Sequence, residues 1–116
     1  LIHADLVPAN ILVSNDTLHF IDFDDGGFGY RLFEVATALL KHKAASDYNV
    51  LSEALIDGYK SLRPLDVKHL PFFLALRAAT YVGWNISRSS EDLTGRRNTR
   101  FIVQTEDSIR DYMTTI

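Results

Sequence analysis

The sequence predicts an α+β fold that is mostly helical, with a short β-hairpin followed by about four helices. Two apolar runs, at residues 11–13 and 18–23, flank the turn-forming cluster at residues 14–17, and this pattern is typical of an antiparallel hairpin. From Arg31 onward, apolar residues recur at helical spacing almost to the end of the chain. The hairpin and the helical part together favour one folded domain, or a piece of one, within 116 residues.

The composition excludes several classes of protein. The chain is 47% hydrophobic and 23% charged, which argues against a disordered segment, and it has no cysteine for a disulfide, a thiolate zinc site or a Cys nucleophile. A formal charge of -3 argues against a nucleic-acid partner, and no apolar run is long enough to cross a membrane. The chain begins at Leu1 in the middle of a pattern and without a signal peptide, so we expect a segment of a longer, cytoplasmic protein.

Four helices are predicted after the glycines at 26, 27 and 29. The first begins at Arg31; the second is capped by Ser46 or Asp47 and is ended by Pro64. The third covers residues 67–87 and is apolar nearly all round, which is typical of a central helix in a bundle. A polar loop at residues 91–98 precedes the fourth.

Polar chemistry is concentrated at the open end of the hairpin. Because a short antiparallel pair brings together the residues before its first strand and after its second, the loop at 3–10 and the segment at 22–25 should lie close together. Four carboxylates and one amide belong to these two segments: Asp5, Asn10, Asp22, Asp24 and Asp25. Clustered carboxylates repel one another unless a cation or proton intervenes, and oxygen ligands without cysteine suit a hard ion such as Mg²⁺.

The spacing of these residues matches a phosphoryl-transfer pattern. The stretch from His3 to Asn10 reads H-x-D-x-x-x-x-N, and Asp22-Phe23-Asp24 follows on the next strand. With the start of the first helix, this region resembles the aminoglycoside phosphotransferase and choline kinase family, small-molecule relatives of the protein kinases. Ala4 stands where many members of that family have glycine, so the backbone there has to accommodate a Cβ atom.

The resemblance implies a protein-kinase-like C-terminal lobe. Residues 1–30 would form the catalytic loop and metal-binding hairpin, and residues 31–116 a helical subdomain. The resemblance also implies that Asp5 is the catalytic aspartate, that Asn10 and Asp22 are Mg²⁺ ligands, and that His3 supports the catalytic loop. Asp24 would be a possible secondary site residue, since an acidic residue is tolerated there.

The same resemblance implies an ATP-dependent reaction on a hydroxyl group of a small molecule, such as an aminoglycoside, choline, ethanolamine or homoserine. The chain contains no glycine-rich phosphate loop and no strand lysine in a suitable context, which in this family belong to an N-terminal lobe. We therefore expect the isolated segment to have little or no activity.

Two other functions stay open at this point. Asp22-Phe23-Asp24 also resembles the D-x-D nucleophile motif of haloacid-dehalogenase-like phosphohydrolases, although Gly26 stands where those enzymes usually have Thr or Val. A non-catalytic, pseudokinase-like binding module is the third possibility, and the intact Asp5, Asn10 and Asp22 argue against it.

Outside the hairpin the residues have simpler interpretations. Glu34 is expected to stabilise the N-terminus of the first helix through its dipole. Arg77, in the most apolar helix, should pair with a carboxylate or line a cleft. Tyr81 and Trp84 are interpreted as core residues with a possible role in the wall of the acceptor site. A basic cluster in the polar loop is expected to be solvated: Arg96, Arg97 and Arg100.

Overall fold

The structure, a computed structural model, describes all 116 residues and contains a two-stranded antiparallel sheet and four α-helices. The strands and helices, in chain order, are β1 (Ile11–Ser14), β2 (Thr17–Phe20), α1 (Arg31–Leu40), α2 (Tyr48–Lys60), α3 (Leu70–Ile86) and α4 (Arg96–Met113). Short 3-10 turns occur at Pro8–Asn10 and Ser89–Glu91. This confirms the predicted α+β class and its mostly helical character. No helix combines the length and apolar character needed to cross a bilayer.

The hairpin forms around a two-residue turn. Ser14 pairs with Thr17, and the two residues between them, Asn15 and Asp16, have φ angles of 51° and 61°. Left-handed backbone at both central positions is the conformation of a type I′ turn, whose twist matches that of the strands. The second strand is shorter than the predicted 18–23: it ends at Phe20, because Asp22 has a φ of 60° and cannot continue an extended strand.

The chain divides into two compact units, Leu1–Val67 and Lys68–Ile116. The first contains the hairpin with α1 and α2, and its buried apolar residues include much of α1: Val7, Val35, Ala36, Leu39, Leu40 and Leu65. Helix α1 thus buries one face, whereas α2 has no buried residue. The predicted division at residues 30 and 31 concerns function rather than packing, and it stays a prediction.

The second unit is a pair of helices, α3 and α4, joined by the 3-10 turn. Helix α3 starts at Leu70 rather than near residue 67, with Pro71 in its first turn, where proline's missing N–H is not needed. It is not buried on all sides as predicted, because Phe72, Leu76, Trp84 and Ile86 are exposed.

Two helix starts differ from their predicted form. The polar loop predicted at 91–98 is shorter, since α4 already begins at Arg96 after Gly95, which has a φ of 70°. The basic residues assigned to this loop therefore lie in the first turns of a helix. Asp47 occupies the position before α2, but its side chain makes no capping hydrogen bond, and neither predicted cap is formed by a side chain there.

Candidate active site

His3 connects the loop that carries Asp5 to the segment that carries Asp22. Its Nδ1 atom accepts a hydrogen bond from the backbone N–H of Asp5 at 3.1 Å, and its Nε2 atom lies 2.7 Å from the carbonyl oxygen of Ile21. Since the Asp5 amide can only donate, Nδ1 is the acceptor and the ring hydrogen is on Nε2, which donates to Ile21. The His3 ring is buried and also contacts the ring of Phe23, with centroids 4.7 Å apart.

Asn10 holds Asp5 from the other end of the loop. Its side-chain amide donates to the Asp5 carbonyl oxygen at 2.8 Å and to the Asp5 carboxylate at 3.0 Å. Asn10 closes the 3-10 turn Pro8–Asn10 and is buried, and its own carbonyl accepts the N–H of Ile21 at 3.0 Å. The last residue of the loop is thereby tied both to Asp5 and to the residue before Asp22.

A pair of backbone hydrogen bonds joins the two segments further out. Ile2 and Gly27 form an isolated antiparallel bridge, with N–H to carbonyl distances of 2.7 and 3.1 Å. Gly26 lies between this bridge and Phe23, and a Cβ atom there would be 3.0 Å from the Phe23 carbonyl oxygen and 3.5 Å from that of Ile2. The close approach of the turn at Phe23–Gly26 to the backbone of Ile2 explains why glycine occupies position 26.

Glu34 takes part in this region in a way that sequence reasoning missed. Its carboxylate accepts the backbone N–H of Ala4 at 3.0 Å and also the backbone N–H of His3. The expectation for Glu34 concerned only the dipole of α1, whose first turn contains it. No local signal could have revealed the contact, because Glu34 lies 30 positions after Ala4 in the sequence.

Asp22 is next to this arrangement but its carboxylate is exposed. Asp22 follows Ile21, whose N–H and carbonyl are both bonded to the loop at 3–10, and its left-handed φ turns the chain away from β2. No hydrogen bond or ion pair engages its carboxylate, and Asp24 and Asp25 are exposed as well. The structure thus brings Asp5 and Asn10 into contact and places the backbone of Asp22 beside them.

The oxygen donors fit a magnesium ion in their chemistry. No group of three or more His, Asp or Glu side chains is gathered into a metal site. The ligands implied by the family resemblance are one amide and one carboxylate, Asn10 and Asp22, and they stay a prediction. Because the NH₂ group of Asn10 donates its hydrogen bonds to Asp5, the side-chain oxygen of Asn10 stays available as a ligand. Mg²⁺ commonly takes only one or two protein carboxylates and completes its shell with water and substrate phosphates.

A polar network in the second unit was not predicted. Asn85, which is 2% exposed, donates to the Asp92 carboxylate at 3.3 Å and accepts a hydrogen bond from Arg97 Nε. The same carboxylate accepts the backbone N–H groups of Arg97 and Asn98, at 3.2 and 2.8 Å. Burial raises the pKa of Asp92, but these hydrogen bonds, from Asn98, Arg97 and Asn85, and the charge of Arg97 together lower it below its usual value.

The aromatic residues of α3 face basic and aromatic neighbours. The guanidinium groups of Arg88 and Arg97 lie 4.4 and 5.1 Å from the centre of the Trp84 ring, which is exposed. Arg77 lies 4.4 Å from the Tyr81 ring, and Tyr81 stacks on Phe101 of α4 at 5.5 Å. Tyr81 therefore packs between helices, as expected of a core residue, whereas Trp84 is on the surface.

A family of known proteins matches the part of the chain that forms the first unit. Residues 1–65, more than half of the chain, match the model of the phosphotransferase enzyme family (APH). The matched region contains the loop at 3–10, the hairpin, Asp22 and Glu34. The searches of curated proteins and of solved structures found no match. With the family model matched across the hairpin and the first two helices, the chain belongs to the phosphotransferase enzyme family.

Proposed function

We propose that this chain forms the catalytic half of an ATP- and Mg²⁺-dependent phosphotransferase that moves the γ-phosphoryl group of ATP to a hydroxyl group of a small molecule. The observation that carries the proposal is the bridge made by His3, which bonds the Asp5 amide on one side and the carbonyl before Asp22 on the other. The bridge supports a shared site for the two aspartates within a family of phosphotransferases.

Asp5 is the residue proposed to act on the acceptor. Its carboxylate is half-buried and receives the Asn10 amide on one oxygen, which restrains its orientation. In this position Asp5 would accept a hydrogen bond from the acceptor hydroxyl and take up its proton as the phosphoryl group is transferred.

Asn10 and Asp22 are the residues proposed to hold Mg²⁺. When bound, the ion would neutralise charge on the nucleotide phosphates. Asp22 presents an exposed carboxylate with no protein partner, and Asn10 presents its amide oxygen beside Asp5. Asp24, also exposed, stays a possible secondary residue of this site.

In our proposal, the remaining contacts to the nucleotide come from a part of the protein outside residues 1–116. The chain has no glycine-rich loop with a nearby strand lysine, so we propose that an N-terminal lobe of the same protein supplies those phosphate contacts and that residues 1–116 are a kinase-like C-terminal lobe. Exposed apolar side chains of the hairpin would contribute to the contact with that lobe: Leu12, Val13, Leu18 and Phe20. Because the reaction consumes ATP, we propose a cytoplasmic location.

The phosphohydrolase alternative gains no support from the fold. Its nucleophile motif opens a strand–helix unit, whereas Asp22 follows the second strand of a two-stranded antiparallel hairpin. A phosphohydrolase mechanism would also leave the contacts of Asp5 with His3 and Asn10 without a role.

The experiment is a transfer assay on the full-length protein with γ-labelled ATP, Mg²⁺ and a panel of small hydroxyl acceptors, including aminoglycosides, choline, ethanolamine and homoserine. Asp5→Asn should lower kcat by about 10²- to 10⁴-fold, the usual contribution of a positioned base, with nucleotide affinity largely retained. Asp57→Asn, on the exposed face of α2, is the matched control. Full activity in Asp5→Asn, or label trapped as an aspartyl-phosphate on Asp22, would reject the proposal.

A further inference from the structure

Positive charge is concentrated between the end of α3 and the first turns of α4. Four of the twelve basic residues of the chain fall within positions 88–100: Arg88, Arg96, Arg97 and Arg100. The chain as a whole has a formal charge of -3, so this excess of positive charge is local. The segment lies beyond residues 1–65, which match the phosphotransferase family, and the proposed reaction gives it no role.

Two of these arginines converge on one exposed tryptophan. The guanidinium groups of Arg88 and Arg97 lie over the Trp84 ring, 4.4 and 5.1 Å from its centre, where the negative face of the π system attracts a cation. On α4, Arg97 and Arg100 are three positions apart and Arg96 and Arg100 four, so their side chains are neighbours on the helix surface. The arginine surface thus consists of five residues: Trp84, Arg88, Arg96, Arg97 and Arg100.

Three of the four guanidinium groups have no carboxylate partner. Arg88, Arg96 and Arg100 are exposed, and no Asp or Glu lies within ion-pair distance of them. Arg97 has only Glu91, at 3.6 Å, and the Glu91 side chain is itself exposed. Like charges four positions apart on a helix repel each other, so an anionic partner that neutralises them gains binding free energy.

Two of the cations are held in place before any partner arrives. The Nε atom of Arg97 donates to the side-chain oxygen of the buried Asn85, and its Nη2 atom donates to the carbonyl oxygen of Arg88 at 3.3 Å. Nη1 of Arg88 donates to the carbonyl oxygen of Trp84 at 3.3 Å and to the Ser87 hydroxyl at 3.2 Å. Side chains that are already ordered lose less conformational entropy on binding.

We propose that the arginine surface binds an acidic segment of a partner protein, whose carboxylates pair with the guanidinium groups. Only Nη1 of Arg88 is used within the chain, so the edge formed by Nε and Nη2 is available for two parallel hydrogen bonds to a carboxylate. Trp and Arg are also the residue types that most often dominate the affinity of protein–protein interfaces. Leu93, in the same loop, is 92% exposed, so we expect an apolar residue among the partner's carboxylates.

The contacts of Trp84 favour a peptide over a nucleic acid. Proteins that bind single strands stack bases on the free faces of aromatic rings, whereas guanidinium groups already lie over this ring. A carboxylate can instead pair with the outer edge of Arg88 while that residue stays on the ring. The negative charge of the whole chain also opposes a polyanion as long as a nucleic acid.

The test is the binding of a labelled, glutamate-rich peptide with a central leucine to the full-length protein, followed by fluorescence polarisation. The triple variant Arg88→Gln/Arg96→Gln/Arg100→Gln should lower the affinity about 5- to 100-fold, since each exposed pair contributes up to about fivefold. Binding should also weaken as salt is raised. The same peptide with glutamine in place of every glutamate should not bind.

A second triple variant is the matched control. It removes the same number of positive charges from exposed positions of the first unit, as Lys41→Gln/Lys60→Gln/Arg63→Gln, and should bind the acidic peptide about as well as the unaltered protein. Thermal unfolding should be similar in both triple variants, because none of the substituted side chains has an ion pair to lose. This comparison separates a loss of binding from a loss of folding.

Two substitutions without a change of charge test the role of the tryptophan. Trp84→Leu removes the ring that holds two guanidinium groups and should lower the affinity about 3- to 10-fold. Phe72→Leu, at another exposed aromatic position of α3, should leave the affinity unchanged.

Equal affinity of the two triple variants, or no binding of the acidic peptide by the unaltered protein, would overturn the inference. Tighter binding of a labelled oligothymidine or of phosphatidylserine vesicles than of the acidic peptide would also overturn it, in favour of a nucleic acid or a membrane. Because no turnover is measured, the result does not depend on the proposed phosphotransfer.

Discussion

The side-chain amide of Asn10 donates hydrogen bonds to both the carbonyl oxygen and the carboxylate of Asp5, at 2.8 and 3.0 Å. One buried group therefore restrains the backbone and the side chain of Asp5 together. Asn10 lies five positions after Asp5, so the loop is closed by its own last residue before β1 begins. Asn10 has two proposed roles, to hold Asp5 through its NH₂ group and to hold Mg²⁺ through its oxygen.

Replacing Asn10 should separate these two roles. In Asn10→Ala both bonds to Asp5 are lost, and the free energy of unfolding should fall by about 1–3 kcal/mol. Asn10→Asp retains oxygen atoms for Mg²⁺ but loses the NH₂ group and places a second negative charge against Asp5. We expect both variants to lose activity, and only Asn10→Asp to recover part of it as Mg²⁺ is raised. Urea unfolding and a Mg²⁺ titration of the rate provide the measurements; identical Mg²⁺ dependence in the two variants would contradict the dual role.

We expect the stability of the folded protein to depend on the two ring nitrogens of His3 rather than on the size of its ring. His3→Phe keeps an aromatic ring against Phe23 but leaves the Asp5 amide and the Ile21 carbonyl without their partner. A polar group left unsatisfied in the interior costs about 1–3 kcal/mol, and both of these hydrogen bonds are partly buried, so unfolding should occur at lower urea concentration. His19→Phe, at an exposed position of β2, is the control. A stability of His3→Phe equal to that of the control would show that the bridge contributes little.

The turn of the hairpin offers a stabilising substitution. Asp16 has a φ of 61° at the second central position of the type I′ turn, where glycine is preferred. Asp16→Gly should raise the free energy of unfolding by up to about 1 kcal/mol, because the Cβ penalty is removed. Thr17→Gly, one residue later in extended backbone, should lower it by about 0.5–1 kcal/mol. Thermal unfolding of the two variants measures this contrast, and a shift of the same sign in both would refute it.

The parts of the site that follow from local spacing were accessible from the sequence. The loop from His3 to Asn10, the turn at residues 14–17 and the return to Asp22 are all within 20 residues, and short-range patterns predict such hairpins well. The end of the strand after the turn was predicted three residues too late, since the apolar residues Ile21 and Phe23 continue the pattern while Asp22 leaves the extended conformation.

The parts that depend on long-range contacts were not accessible. The bonds of Glu34 to His3 and Ala4 span about 30 residues, and nothing in the spacing of a helix start distinguishes a carboxylate bonded to a distant loop from one that faces solvent. The early start of α4 has a similar cause: Asp92 accepts the N–H groups of Arg97 and Asn98, although it lies outside the helix. From the sequence alone, a polar stretch of this kind is predicted to be a loop.

The Asp92 network should make the second unit sensitive to acid. The pKa of Asp92 is lowered from 3.8, so its carboxylate stabilises the folded state fully above about pH 4, and that contribution is lost as the pH falls through the lowered folded-state pKa. Asp92→Asn should therefore be less stable than the unaltered protein at pH 6, and the difference in Tm should shrink towards pH 3. Asp107→Asn, whose ion pair with Arg110 on α4 is well exposed, should change Tm little at either pH. The measurement is thermal unfolding followed by circular dichroism from pH 3 to 7. A Tm difference for Asp92→Asn that stays constant over this range would show that the charge of Asp92 does not stabilise the start of α4.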